Sequence, residues 1–102
     1  MAFTTVAAVA EIPPGTGKQL TVHGRTIALF NVNGTYFAID DTCTHRGASL
    51  AEGECEGAEV ICPWHGARFD LLTGSALSSP ARTGVQVYPV QGVGKEVRVE
   101  VP

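Results

Sequence analysis

The chain has 102 residues, 44% apolar and 17% charged, which fits one folded domain spanning 1–102 and excludes a disordered chain. Its net charge is −3, and its seven lysines and arginines are scattered, so it lacks the basic stripe that a nucleic-acid partner requires. No stretch approaches the roughly 20 apolar residues of a membrane helix. The opening MAFTTVAAVAEIPP has no leading basic region and is broken early by Glu11 and two prolines, so no secretory signal, no membrane partner and a cytoplasmic location are expected.

Along the chain, short runs of β-branched and aromatic residues are interrupted by Gly, Asn and Pro, and no helical spacing is sustained. This predicts an all-β fold. Strands are expected at 4–8, 18–23, 26–32, 35–40, 59–62, 67–71, 85–90 and 96–101. His23-Gly24 and Asn33-Gly34 read as hairpin turns, because Asn and Gly tolerate the positive φ of a type I′ turn. Gly92 and Gly94 mark the last turn, before the alternating EVRVEV. The stretch from Asp41 to Glu59 shows little strand pattern. A β scaffold at both ends is therefore expected, with an inserted segment of about 42–80.

That segment holds Cys43 and His45 as C-x-H, and Cys62 and His65 as C-x-x-H. Three cysteines without an export signal favour metal or redox chemistry over a disulfide framework. Two thiolates and two imidazoles make a complete four-ligand set. A structural zinc finger usually draws its ligands from a Cys pair followed by a His pair, whereas each pair here mixes the two. A Rieske [2Fe–2S] cluster needs two cysteines on one iron and two histidines on the other, and two mixed loops suit it. A structural zinc module remains the competing metal reading.

CTHRGASL and CPWHGARFDLLTG resemble the paired motifs of the Rieske ferredoxins of bacterial aromatic-ring dioxygenase systems. The resemblance runs from about Ile12 to the C-terminus. It implies a small antiparallel β-sandwich or barrel base with an inserted cluster-binding subdomain, and one [2Fe–2S] cluster per chain. Cys43 and Cys62 would bind the buried iron, and His45 and His65 the outer one. Gly47 and Gly66 would let the backbone approach the cluster, and Pro80 would lie in a covering loop. The implied role is a soluble one-electron carrier, not an enzyme, expected to be monomeric. It would be filled by an NAD(P)H-dependent flavin reductase and emptied into a terminal Rieske non-heme iron oxygenase. A small Rieske-type subunit of a nitrite-reductase-like complex is the alternative. Some of those subunits lose the ligands, whereas this chain keeps all four.

The resemblance also shows departures. Respiratory Rieske proteins brace their loops with a disulfide where this chain has Ala48 and Trp64. They carry Ser and Tyr hydroxyls near the cluster where this chain has Ala67 and Phe69. Missing hydroxyls imply the low end of the Rieske range of about −150 to +300 mV.

Four other features read less sharply. Cys55 is expected as a small buried hydrophobe, and His23 as an exposed turn residue. One spare His cannot build the two-His, one-carboxylate site of a mononuclear iron oxygenase. Trp64 and Arg46 read either as local packing and a solvated charge, or as parts of a docking face. The acidic stretch Glu52, Glu54, Glu56 and Glu59 reads as a solvated face or as steering for a basic partner.

Overall fold

In the computed structural model, residues 3–43, 48–64, 66–77 and 84–101 are described. The chain opens with β1 (Thr4–Ala8) and then folds β2 (Thr16–Val22), β3 (Arg25–Val32) and β4 (Thr35–Asp40) into an antiparallel meander. Both tight turns form as the sequence demands. His23 and Gly24 have φ of 50° and 80°, and Asn33 and Gly34 have φ of 53° and 89°. The type I′ twist matches that of the strands it joins. The buried Asn31 side chain supports the second turn: its Oδ1 accepts the Gly34 N–H and its Nδ2 donates to the Ile12 carbonyl, both at 2.8 Å.

Three further strands follow β4: β5 (Glu54–Glu56), β6 (Glu59–Ile61) and β7 (Arg68–Asp70). They make an antiparallel sheet of their own, within the segment expected to be inserted. The chain then returns to the meander as β8 (Val87–Tyr88), which pairs with β4. It ends as β9 (Val90–Val93) and β10 (Glu96–Val99). These two join β1 in a third sheet of order β1-β10-β9.

β3 is the centre of the molecule. Alternate residues of a strand face opposite sides, and both sides of β3 are buried. Ile27 and Leu29 pack with Ile12, Val97 and Val99. Ala28 and Phe30 pack with Leu50, Val60, Phe69, Cys43 and Cys62. Double burial explains why 26–32 reads as an almost unbroken apolar run.

Three expectations need correction. The run 85–90 is not one strand. Val87–Tyr88 belongs to the meander, Pro89 has no N–H to continue its ladder, and the chain changes sheets to begin β9. Gly92 lies inside β9 opposite Val97 rather than in the turn, which falls at Gly94 with φ of 61°. The stretch from Asp41 to Glu59 also holds a strand that the pattern did not suggest, β5. It spans three residues, and only Cys55 faces inward. Among the described residues no helix is long and apolar enough to cross a membrane.

Candidate metal centre

Two loops carry the Cys/His pairs, and both close in the same way. In the first, the Cys43 N–H donates to the Ala48 carbonyl at 2.8 Å, and Thr42 bridges Ser49 beneath it. In the second, the Cys62 N–H donates to the Ala67 carbonyl at 2.7 Å. Each bond spans from a Cys to an Ala, with one His and one Gly between them in sequence. Gly66 closes the second loop further by donating its N–H to the Cys62 carbonyl at 3.2 Å. Its φ is 73°, the left-handed region that disfavours a Cβ. Among the described atoms a Cβ there would meet nothing within 4 Å. The observed need for glycine is thus the backbone angle.

The structure brings Cys43 and Cys62 together. They are 1% and 2% exposed, share one apolar cluster with Ala48, Leu50, Ala67 and Phe69, and the Cys43 thiol lies close enough to act on Cys62. Burial pushes the Cys62 thiol up, as does the Cys43 thiol, while the backbone N–H of Trp64 bonded to the Cys62 sulfur pulls it down. None of the three cysteines is in a disulfide. His45 and His65, with Arg46, Gly47 and Pro80, lie outside the described residues. No group of three or more His, Cys, Asp or Glu gathers among the described ones. The half of the site in view is two adjacent sulfur donors in a dry wall. This fits an iron–sulfur cluster or zinc, since thiolates select both.

The surroundings refine the earlier readings. Ala48 is buried, but Trp64 is 54% exposed, so its indole is a surface group and not core packing. Ala67 and Phe69 are fully buried and offer no hydroxyl to a cluster sulfur. Cys55 is half-buried against the same core, and burial pushes its thiol up. His23 is an exposed turn residue, with Nδ1 3.0 Å from the Val101 carbonyl oxygen.

Sequence reasoning missed Asp41. It is 2% exposed and ties the first loop to the scaffold through Ser49, Ala51 and Gln19. The one local signal was an acidic residue two positions before the first Cys. Two close backbone approaches were also missed. A Cβ on Gly53 would lie 2.2 Å from the Ile61 carbonyl oxygen, and one on Gly74 would lie 2.0 Å from the Val85 carbonyl oxygen.

Two matched Cys loops set on a three-sheet β fold define a metal- or cluster-binding protein, and residues 2–89 match the Rieske [2Fe–2S] domain family. The chain belongs to that family. It is 40% identical to the ferredoxin component of the naphthalene 1,2-dioxygenase system of Pseudomonas aeruginosa, over 92% of this chain and 90% of that one. The ferredoxin of carbazole 1,9a-dioxygenase from Nocardioides aromaticivorans superposes with a TM-score of 0.91 at 29% identity, covering 97% of both chains. A chain from a complex of reduced oxygenase and oxidized ferredoxin in carbazole 1,9a-dioxygenase superposes at 0.87 with 36% identity, covering 95% of this chain and 91% of that one. The cofactor is accordingly a Rieske-type [2Fe–2S] cluster, and the chain is an electron carrier rather than an enzyme.

Proposed function

We propose that residues 1–102 form a single Rieske domain, with the cluster held by the segment of about 42–80. It works as a soluble, cytoplasmic, monomeric ferredoxin. It takes electrons from an NAD(P)H-dependent flavin reductase and delivers them to a terminal Rieske non-heme iron oxygenase. Cys43 and Cys62 hold the inner iron, and His45 and His65 hold the outer one. The bound cluster supplies a one-electron couple.

The observation that carries this reading is the contact between the Cys43 and Cys62 thiols at 1% and 2% exposure, in loops closed by matching amide-to-carbonyl bonds. The chain's own residues have three tasks. The wall of Ala48, Leu50, Ala67 and Phe69 excludes water from the sulfur side. The Trp64 N–H bonded to the Cys62 sulfur stabilises negative charge there. The paired loop closures fix both cysteines on a rigid sheet, which keeps reorganisation small when the charge changes.

Absorption and EPR spectra of the purified protein before and after dithionite test the proposal, together with iron and sulfide analysis. A red-brown protein with two irons and two sulfides per chain is expected, bleaching on reduction with the signal of a histidine-ligated cluster. A colourless protein that binds zinc and resists reconstitution with iron and sulfide would overturn it.

A further inference from the structure

The groove beside the second loop, about 470 Å³ in volume, is lined by Glu52, Glu54, Ile61, Cys62, Pro63 and Trp64. Glu52 and Glu54 are exposed, and neither has a side-chain hydrogen bond or an ion pair among the described residues. The other two acidic residues of this stretch differ. Glu56 and Glu59 lie at the far end of the β5–β6 hairpin and pair with Arg68 at 3.4 and 3.5 Å. The acidic stretch is therefore divided. One half shares a cation on its own sheet, and the other half faces the groove with no cation paired to it among the described residues.

The groove is also firmly built. The Gly53 backbone lies so close to the Ile61 carbonyl that a Cβ would meet it at 2.2 Å. The backbone that carries Glu52 and Glu54 is thus packed against the strand that leads into Cys62. The indole of Trp64, 54% exposed, lies along the same opening. An aromatic face beside two free carboxylates suits a guanidinium or ammonium group, through cation–π attraction and charge together.

We propose that this groove docks an arginine- or lysine-bearing surface loop of the redox partner, with the cation between Trp64 and the carboxylates of Glu52 and Glu54. The inference rests on the electron-carrier reading. Charge complementarity selects a basic occupant. Continuity with the Cys62 loop places that occupant beside the metal centre, since Cys62, Pro63 and Trp64 line the groove.

Ferricytochrome c, a basic electron acceptor, is the probe for the kinetic test. The dithionite-reduced, loaded protein gives one electron to the ferric haem, which becomes ferrous, and no proton or group is transferred. Stopped-flow rates are compared at low and high salt for wild type, E52Q/E54Q and E56Q/E59Q. Both variants remove two negative charges, so a difference between them reports position rather than net charge. The wild-type and E56Q/E59Q rates are expected to fall about tenfold as salt screens the encounter, and the E52Q/E54Q rate no more than about twofold. Trp64, the chain's single tryptophan, gives a readout independent of electron transfer. Its fluorescence is expected to change on titration with hexa-arginine in wild type and E56Q/E59Q but not in E52Q/E54Q. Equal salt slopes in the two variants, or an unchanged hexa-arginine response in E52Q/E54Q, would overturn the groove proposal and leave the carrier reading intact. A protein that dithionite does not reduce would overturn both.

Discussion

Gln19 on β2 donates its side-chain amide to Oδ2 of Asp41 at 2.7 Å, across 22 positions of sequence. The other carboxylate oxygen accepts the Ser49 hydroxyl and the Ala51 N–H, each at 2.9 Å. The Asp41 carbonyl accepts the Leu50 N–H at 2.7 Å. One buried side chain thus fastens both arms of the first cluster loop to the scaffold. All three side-chain bonds are donated to a carboxylate, so an amide in its place weakens each bond and requires the Gln19 amide to turn over and accept from the new N–H₂. Asp41→Asn is expected to lose about 1–3 kcal/mol, and Gln19→Ala less, because Gln19 is exposed. Urea unfolding of the loaded proteins measures both, and equal stability of Asp41→Asn and wild type would refute the role.

Glycines 66 and 74 separate two reasons for having no side chain. Both have positive φ, 73° and 78°. Alanine at Gly66 meets open space among the described atoms and carries only the left-handed penalty of about 1–2 kcal/mol. Alanine at Gly74 carries that penalty and drives a Cβ into the Val85 carbonyl, where the neighbour is backbone and cannot swing aside. Gly66→Ala should fold with reduced iron content, and Gly74→Ala should be far less stable. Thermal melts and iron per chain distinguish them, and similar melting points would show that the Gly74 contact relaxes.

The contrast between these sites shows what was legible beforehand. The tight turns at His23-Gly24 and Asn33-Gly34, and the strands at 4–8 and 35–40, depend on neighbours in sequence and were readable. The cysteine loops were legible because their spacing is local too. Asp41 was not, because its scaffold partner Gln19 lies on another strand. β5 escaped because three residues of alternating Glu, Cys and Glu are too short to show a period. The sheet change at Pro89 escaped because periodicity reports which face a residue takes, not which sheet the strand joins.

Tyr88 gives a pH dependence. Its hydroxyl donates to Oδ1 of Asp40 and accepts a longer bond from Arg25 at 3.4 Å. Burial pushes the phenol up, the bond to Asp40 adds to this, and Arg25 opposes it. A raised folded value means the contribution is fully present below the unfolded value of about 10. Above that pH the unfolded chain releases its proton first, and stability is lost as pH rises through the folded value. Tyr88→Phe removes this alkaline limb and, at neutral pH, about 1.5–3 kcal/mol from the bond to a charged acceptor. Urea midpoints at pH 8 and 10.5 test the sign: the variant should change less between them than wild type does.

The reduction potential is the fourth test. Ala67 is fully buried and directly follows the Cys62-x-x-His65-Gly66 stretch. Without a hydroxyl there, the potential should sit in the lower part of the range of about −150 to +300 mV. Ala67→Ser supplies a donor that favours the more negative, reduced state. A net bond of about 1 kcal/mol corresponds to roughly 40 mV for one electron, in the positive direction. Dye-mediated redox titration reads the shift, and a negative or null shift with intact spectra would contradict it.

β3 shows its two faces to two different cores, with Ile27 and Leu29 on one side and Ala28 and Phe30 on the other. The metal-bearing lobe consequently has no floor of its own. Cut away from the rest of the chain as a miniature redox peptide, it would lose the wall that Ala28 and Phe30 provide, and the cut would open both cores to water. The lobe is not a portable cassette: moving it into another scaffold means bringing the central strand along, with a second sheet to cover that strand's far side.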